Sequence, residues 1–358
     1  AVTIGDNNIA IGVSAGDALT SGYDNIIMGQ NAAGAMNTGN NNIMLGNNAG
    51  LVLTTVGENI AIGHGAMDGA TSAADFNIAI GQNAMGGAWT TANVNYNVAI
   101  GAGSQAGVLT TNTTGTISIG YNALTALTDG AENIAIGYQS SDSITSGAGN
   151  TVMGYNAFSA ATTENSNVVI GGEAGKSIRH DASDQNVFIG RQASIGGTGA
   201  RTNNVAIGHK AWGNDGNTNN IGGSENVFVG SLSGYGTWAT AASDGNTAVG
   251  YGTMVGAMNS AQDNVALGKG AMAALTEGHR NVGIGNNALK AVTAGQTEGN
   301  VAIGYGAADS LTTGDSNVVI GSAAMDSSAT ATSNCVVIGG RAADAITSTD
   351  ADGTVAIG

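Results

Sequence analysis

One five-residue word recurs along the chain: Asn, an aliphatic residue, a small or apolar residue, a second aliphatic residue, then Gly. Its glycine falls at 12, 29, 46, 63, 81, 101, 120, 137, 154, 171, 190, 208, 230, 250, 268, 285, 304, 321, 339 and 358. Successive words are 17 to 22 residues apart. Aliphatic residues two apart read as a short strand with period two. The glycine after it permits a sharp bend or a close backbone approach. Ala follows three residues later in fifteen of nineteen units, with Ser104, Ser140, Ser233 and Thr253 in the others. A further apolar residue comes about seven after the glycine, as at Leu19, Leu53, Leu127, Ile144, Ile178, Leu275 and Leu311. A polar turn such as Thr20-Ser21-Gly22 closes the unit.

One strand per unit cannot bury itself, but stacked units can. The pattern therefore predicts an all-β, parallel β-solenoid of about 20 coils of 17–22 residues, running as a single repeat array over residues 1–358. At the usual strand spacing the stack is a rod of about 90 Å. Asn opens the word in seventeen of twenty units; the exceptions are Thr116, Cys335 and Thr354. Asn tolerates a left-handed backbone, and in register its amides can form a side-chain ladder.

The middle strand position decides the assembly expected from sequence. With the two flanking aliphatics taken as the coil interior, the middle residue faces outward. It is Ala10, Ile27, Met44, Ala61, Ala79, Ala99, Val152, Val169, Phe188, Phe228, Val319 and Val337, with Ser118 the polar exception. A strand apolar on both faces is buried on both faces. Another chain is the economical cover, so these residues are expected at the axis of parallel chains. A homotrimer suits their small size better than a dimer.

Composition narrows the function classes. The chain has 60 Gly, no Pro, 4% aromatic and 9% charged residues, and a net charge of −16. Pro would remove a ladder donor, and charges would stack on like charges. Residues 1–175 contain no Lys or Arg. Phosphate backbones and anionic membrane surfaces both call for cationic surface, so nucleic acid and membrane insertion are not expected partners. The single Cys335 forms no intrachain disulfide. Both ends fall inside the repeat, which reads as a segment of a longer fibre.

Candidate chemistry is sparse. His64, His180, His209 and His279 share no spacing, and Asp350-Ala351-Asp352-Gly353 lacks the remaining ligands of a calcium loop. No acid pair is nominated for glycoside hydrolysis. No catalytic, metal or cofactor residue is expected, and the chain reads as no enzyme. The lengthened units are the main irregularity. They hold Trp89 and Tyr96, then Trp212 with Asn214, Asp215 and Asn217, then Tyr235 and Trp238. Such aromatics either present a contact surface on loops or fill the space beneath a larger loop.

The word Asn-Ile-Ala-Ile-Gly-x-x-Ala resembles repeats in the heads of trimeric autotransporter adhesins, although the adhesin unit is shorter. The longer form, as in "TGNNNIMLGNNAG" (38–50) and "TGDSNVVIGSAA" (313–324), is similar to repeats of phage tail-fibre proteins and related bacterial surface fibres. The resemblance implies a left-handed coil, a trimer and an extracellular place on a virion tail or cell surface. It also implies attachment to a cell-surface glycan or protein receptor. Three other readings stand beside it: an ice-binding solenoid, a fibre-borne glycan hydrolase, and a self-assembling filament. The Thr pairs at 54–55, 110–111, 162–163 and 312–313 suggest the ice-binding reading, but intervening units break the row.

Overall fold

The computed structural model describes residues 5–69, 74–89, 94–110, 113–179, 182–197, 199–213, 222–236, 238, 241–293, 297–326, 331–344 and 351–358. The chain is an all-β parallel β-solenoid that divides into two compact units, Ala1–Glu173 and Ala174–Gly358. The first unit carries ten three-residue strands, from Ile9–Ile11 to Val168–Ile170. The second carries ten more, from Val187–Ile189 to Val355–Ile357, and a two-residue pair, Arg201–Thr202 with Gly223–Ser224. Within each unit every strand pairs in parallel with the strand of the next coil, word on word: Ile43 opposite Ile60, Met44 opposite Ala61, Leu45 opposite Ile62. Among the described residues there is no α-helix, so no helix is long and apolar enough to cross a membrane.

The turn glycine is dictated by the next coil. Gly63 has φ +137°, and a Cβ there would lie 2.5 Å from the carbonyl oxygen of Gly81. The same relation repeats at Gly101 against Gly120 and at Gly208 against Gly230, each at 2.5 Å. No side chain fits that gap, which is why the word always ends in Gly.

The Asn ladder forms. Asn25, Asn42, Asn59, Asn77 and Asn97 are buried, and each accepts at Oδ1 from the backbone N–H and the side-chain amide of the Asn above, except that Thr116 follows Asn97. The left-handed residue is not this Asn but the one before it, for example Asn41 (φ 58°), Glu58 (φ 61°) and Phe76 (φ 61°). Two places ahead of the Asn, a second ladder links side chains to backbone. Asp75 Oδ1 accepts from Gly57 N–H at 2.7 Å, and Asp315 Oδ1 from Glu298 N–H at 2.8 Å. These acids hold coils together.

The middle strand residues face the coil interior, which reverses the sequence expectation. Ile27, Met44, Ala61, Ala79, Ala99, Val152, Val169, Phe188, Phe228, Val319 and Val337 are all buried within the single chain; Ala10, on the terminal coil, is exposed. They therefore do not line an axis between chains. The flanking aliphatics point outward and are half-buried or exposed. The reason is volume. The interior of a 17-residue coil is narrow, and the middle residue shares it with the residue four after the glycine. In most coils one is large where the other is small: Met44 with Gly50, Phe228 with Gly234, Ala61 with Met67, Ala206 with Trp212, Gly283 with Leu289; Val152 with Phe158 and Val319 with Met325 are the exceptions. A Cβ on Gly50 would lie 2.7 Å from Met44 Sδ, and one on Gly234 would lie 2.5 Å from Phe228 Cδ1. Ser118 fits this arrangement too: inside the coil its Oγ pairs with Ser104 Oγ at 2.7 Å. Leu19, Leu53, Leu127, Ile144, Ile178, Leu275 and Leu311 complete the core, as expected.

Candidate functional site

The outer strand face is the most extensive surface feature. Two side chains per coil, aliphatic except for Thr151 and Thr247, point away from the interior, stacked in register by the strand pairing. They are exposed in the opening coils of the first unit, at Ile9, Ile11, Ile26 and Met28, in the closing coils of the second, at Ile303, Ile320, Ile338, Val355 and Ile357, and at Met153 and Val249. In the middle coils neighbours above and below cover part of each, leaving them half-buried. No charged residue occupies either column. Monomeric proteins seldom leave more than a few hundred Å² of contiguous apolar surface open. Two nearly continuous aliphatic columns run over the ten coils of either unit.

The exposed aromatics form rows one coil apart. Tyr121, Tyr138 and Tyr155 each follow a turn glycine and stack with ring centres 5.2 and 5.5 Å apart. Tyr96 stacks on Phe76 at 4.9 Å with nearly parallel planes. Tyr96 is exposed, as a contact residue must be. Tyr235 is half-buried, with Lys210 Nζ 6.0 Å from its ring centre. Trp89, Trp212 and Trp238 are fully buried, which removes them from any contact surface. They belong to the core instead, the second of the two readings the sequence allowed. Asn214, Asp215, Asn217, His180 and Asp350 lie outside the described residues.

No family model, curated protein or solved structure matches the chain.

Sequence reasoning missed the core around Trp212. Its indole meets Phe188, Phe228 and Trp238 at 6.3, 5.7 and 5.3 Å. The Arg201 guanidinium lies 4.8 Å over the same ring and is fully buried. Arg201 Nη1 donates to Ser194 O and Oγ at 3.2 Å, Nη2 donates to Gly196 O, and Nε has no acceptor. Burial pulls its pKa down to about 10. The cation is held by two carbonyls, the Ser194 hydroxyl and π-density. Nothing in the local sequence distinguishes this Arg from a solvated one; only its place one unit ahead of the lengthened unit that holds Trp212 does.

Six carboxylates share one site in the repeat, five residues after the glycine: Asp17, Asp68, Asp142, Asp309, Asp326 and Asp344. Partial burial raises the pKa of Asp68, Asp142 and Asp309. At Asp68 a backbone hydrogen bond and His64 oppose the rise. At Asp309 the Ser310 hydroxyl opposes it, Asp326 on the next coil adds to it, and Lys290 opposes it. Among the described residues no three His, Cys, Asp or Glu side chains converge where a metal ion could sit. The lone Cys335 is buried, its Sγ directed at the carbonyls of Ala351 and Ser333.

Proposed function

We propose that the chain is a structural and adhesive fibre segment, working outside the cell on a virion tail or a bacterial surface. Copies pack side by side through the outward aliphatic columns, as a parallel homotrimer. One observation carries this reading: an uncharged double row of Ile, Val, Leu and Met on the outside of the coils, interrupted only by Thr151 and Thr247. Water is a poor neighbour for such a face, and an identical chain in the same register offers a face of matching chemistry and period. The faces assigned to the contact differ from the sequence expectation; the need for a covering chain does not. Stiffness comes from the coil-to-coil ladders, and attachment from many weak contacts along the fibre. Catalysis has no part in it.

Absolute mass by light scattering, with negative-stain images of the same sample, tests the proposal. A mass near three chains and rods of uniform length are expected. A clean monomer at micromolar concentration overturns it.

A further inference from the structure

On the second unit, away from the aliphatic columns, the residues one, two and five places after the turn glycine form a trough of about 350 Å³. Leu232, Tyr235, Tyr251 and Val255 supply its apolar lining, while Lys269 and Asn287 supply polar groups. The floor is open because Gly252 and Gly270 stand where other coils carry Asn, as at Asn31, Asn48 and Asn122. Tyr251 is 54% exposed, so its ring is available to a ligand, and Lys269 Nζ lies 5.9 Å from its centre.

The charge here runs against the rest of the molecule. From Arg191 to Lys290, the first, second and fifth places after each turn glycine hold Arg191, Lys210, Lys269 and Lys290 and no acid. The chain as a whole carries −16. The acids of these coils, such as Glu225, Asp244 and Asp263, stand ahead of the strands instead. In an acidic protein, a wall whose charges are all basic selects anions.

We propose that this trough is a subsite for an anionic sugar unit of a glycan. The volume is at the small end of ligand sites and suits one or two rings. The apolar face of a pyranose packs on the Tyr251 ring. The Asn287 amide can donate to or accept from ring hydroxyls. The ammonium of Lys269 pairs with the carboxylate. An open trough of this kind binds weakly, with Kd of about 1 mM, and repetition across a fibre raises the avidity. The inference deepens the adhesive reading and rests on it.

The test is titration of the full chain with trigalacturonate, and with neutral maltotriose as control, followed by isothermal calorimetry or ligand-observed NMR. Two variants separate the parts. Lys269→Gln removes the charge. Gly252→Asn installs the residue that other coils carry at this place, so the coil is kept while the trough is filled. Each is expected to weaken trigalacturonate binding at least tenfold, and maltotriose to bind at least tenfold more weakly than trigalacturonate. Absence of trigalacturonate binding at millimolar concentration, equal binding of the neutral sugar, or undiminished binding by Gly252→Asn would each overturn the proposal. Mass measured on the same samples keeps the two readings apart. A monomer that binds the acid sugar sinks the fibre and leaves the subsite; an oligomer that does not bind it does the reverse.

Discussion

Asn42 Nδ2 and its own backbone N–H both donate to Asn25 Oδ1, each at 3.0 Å, while Nδ2 also reaches Val56 O on the coil above at 3.1 Å. One side chain thus ties three coils together, and all of its polar atoms are spent. Asn42→Ala leaves the carbonyls of Asn25 and Val56 short of donors in a buried place, a loss of about 1–3 kcal/mol. Asn42→Asp is worse, because it buries a charge against acceptors. The ladder also contains its own repair experiment. Thr116 N–H still donates to Asn97 Oδ1 at 2.9 Å, but its Oγ1 has no partner and it offers no amide to Asn133. Thr116→Asn should therefore raise stability, by about 1 kcal/mol. Denaturant unfolding of the two variants checks both signs.

The glycines differ in what they tolerate, and two of them show it. Gly63→Ala places a Cβ 2.5 Å from a backbone carbonyl at φ +137°, so the coil spacing must open. A loss of several kcal/mol is expected, on the order of the larger single-site effects. A Cβ at Gly172 meets nothing within 4 Å, and Gly172→Ala should be near neutral. Melting temperature and soluble yield measure the pair; equal behaviour would mean that the ladder of turn glycines does not set the coil spacing.

The solenoid, its register, the Asn ladder and the turn glycines were legible in the sequence because each is a backbone requirement repeated in every unit. Which strand face points inward was not legible from period two, since both faces are apolar. The signal lay in covariation of size between Met44 and Gly50, or Ala61 and Met67, within one unit. Small middle residues suggested a crowded axis between chains, but the crowded place is the coil interior. Trp212 and Trp238 stood between two readings in the sequence, contact surface or space filler, and their full burial in one aromatic cluster decides for the second.

Three carboxylates should favour the folded state more as pH falls. Asp68, Asp142 and Asp309 have folded pKa values above 3.8 because burial penalises the carboxylate. The folded state then binds protons at higher pH than the unfolded one. The resulting contribution is fully present below the unfolded pKa and is lost as pH rises through the folded values. Thermal melts of the parent and of a variant with all three replaced should show the parent gaining relative to the variant as pH falls from neutrality toward 4. Replacing the three by Asn should raise the neutral-pH melt. A triple variant that gains on the parent as pH falls would contradict the assignment.

Arg201 is a cost at neutral pH. Its folded pKa of about 10 lies below the ordinary guanidinium value, so the charged form is the disfavoured one in the folded state. Below pH 10 the guanidinium is charged in both states and the penalty is complete; it is relieved only as pH rises above about 10. Arg201→Met keeps much of the stem volume and sets a polarisable sulfur against Trp212. Its melting temperature should equal or exceed that of the parent, as when other buried charges are replaced by apolar residues. A loss above about 2 kcal/mol would mean that the hydrogen bonds to Ser194 and Gly196 outweigh desolvation.

The inside-out assignment of the strand predicts opposite fates for two adjacent residues. Ile80 points outward and is half-buried; Ala79 points inward and is fully buried. Ile80→Lys puts an ammonium on the aliphatic face, where its stem can lie along the stack and its charge can reach water. The coil should keep its circular dichroism and lose little melting temperature, while the mass falls from an oligomer to a single chain. Ala79→Lys forces the same group into a closed coil with no counter-charge, which should abolish the fold or the yield. Had the middle residues met at an axis between chains, the outcomes would exchange: Ala79→Lys would give a folded monomer, and Ile80→Lys would not fold. Light scattering and circular dichroism on the two variants therefore decide both which face is the core and whether the other one holds the assembly together.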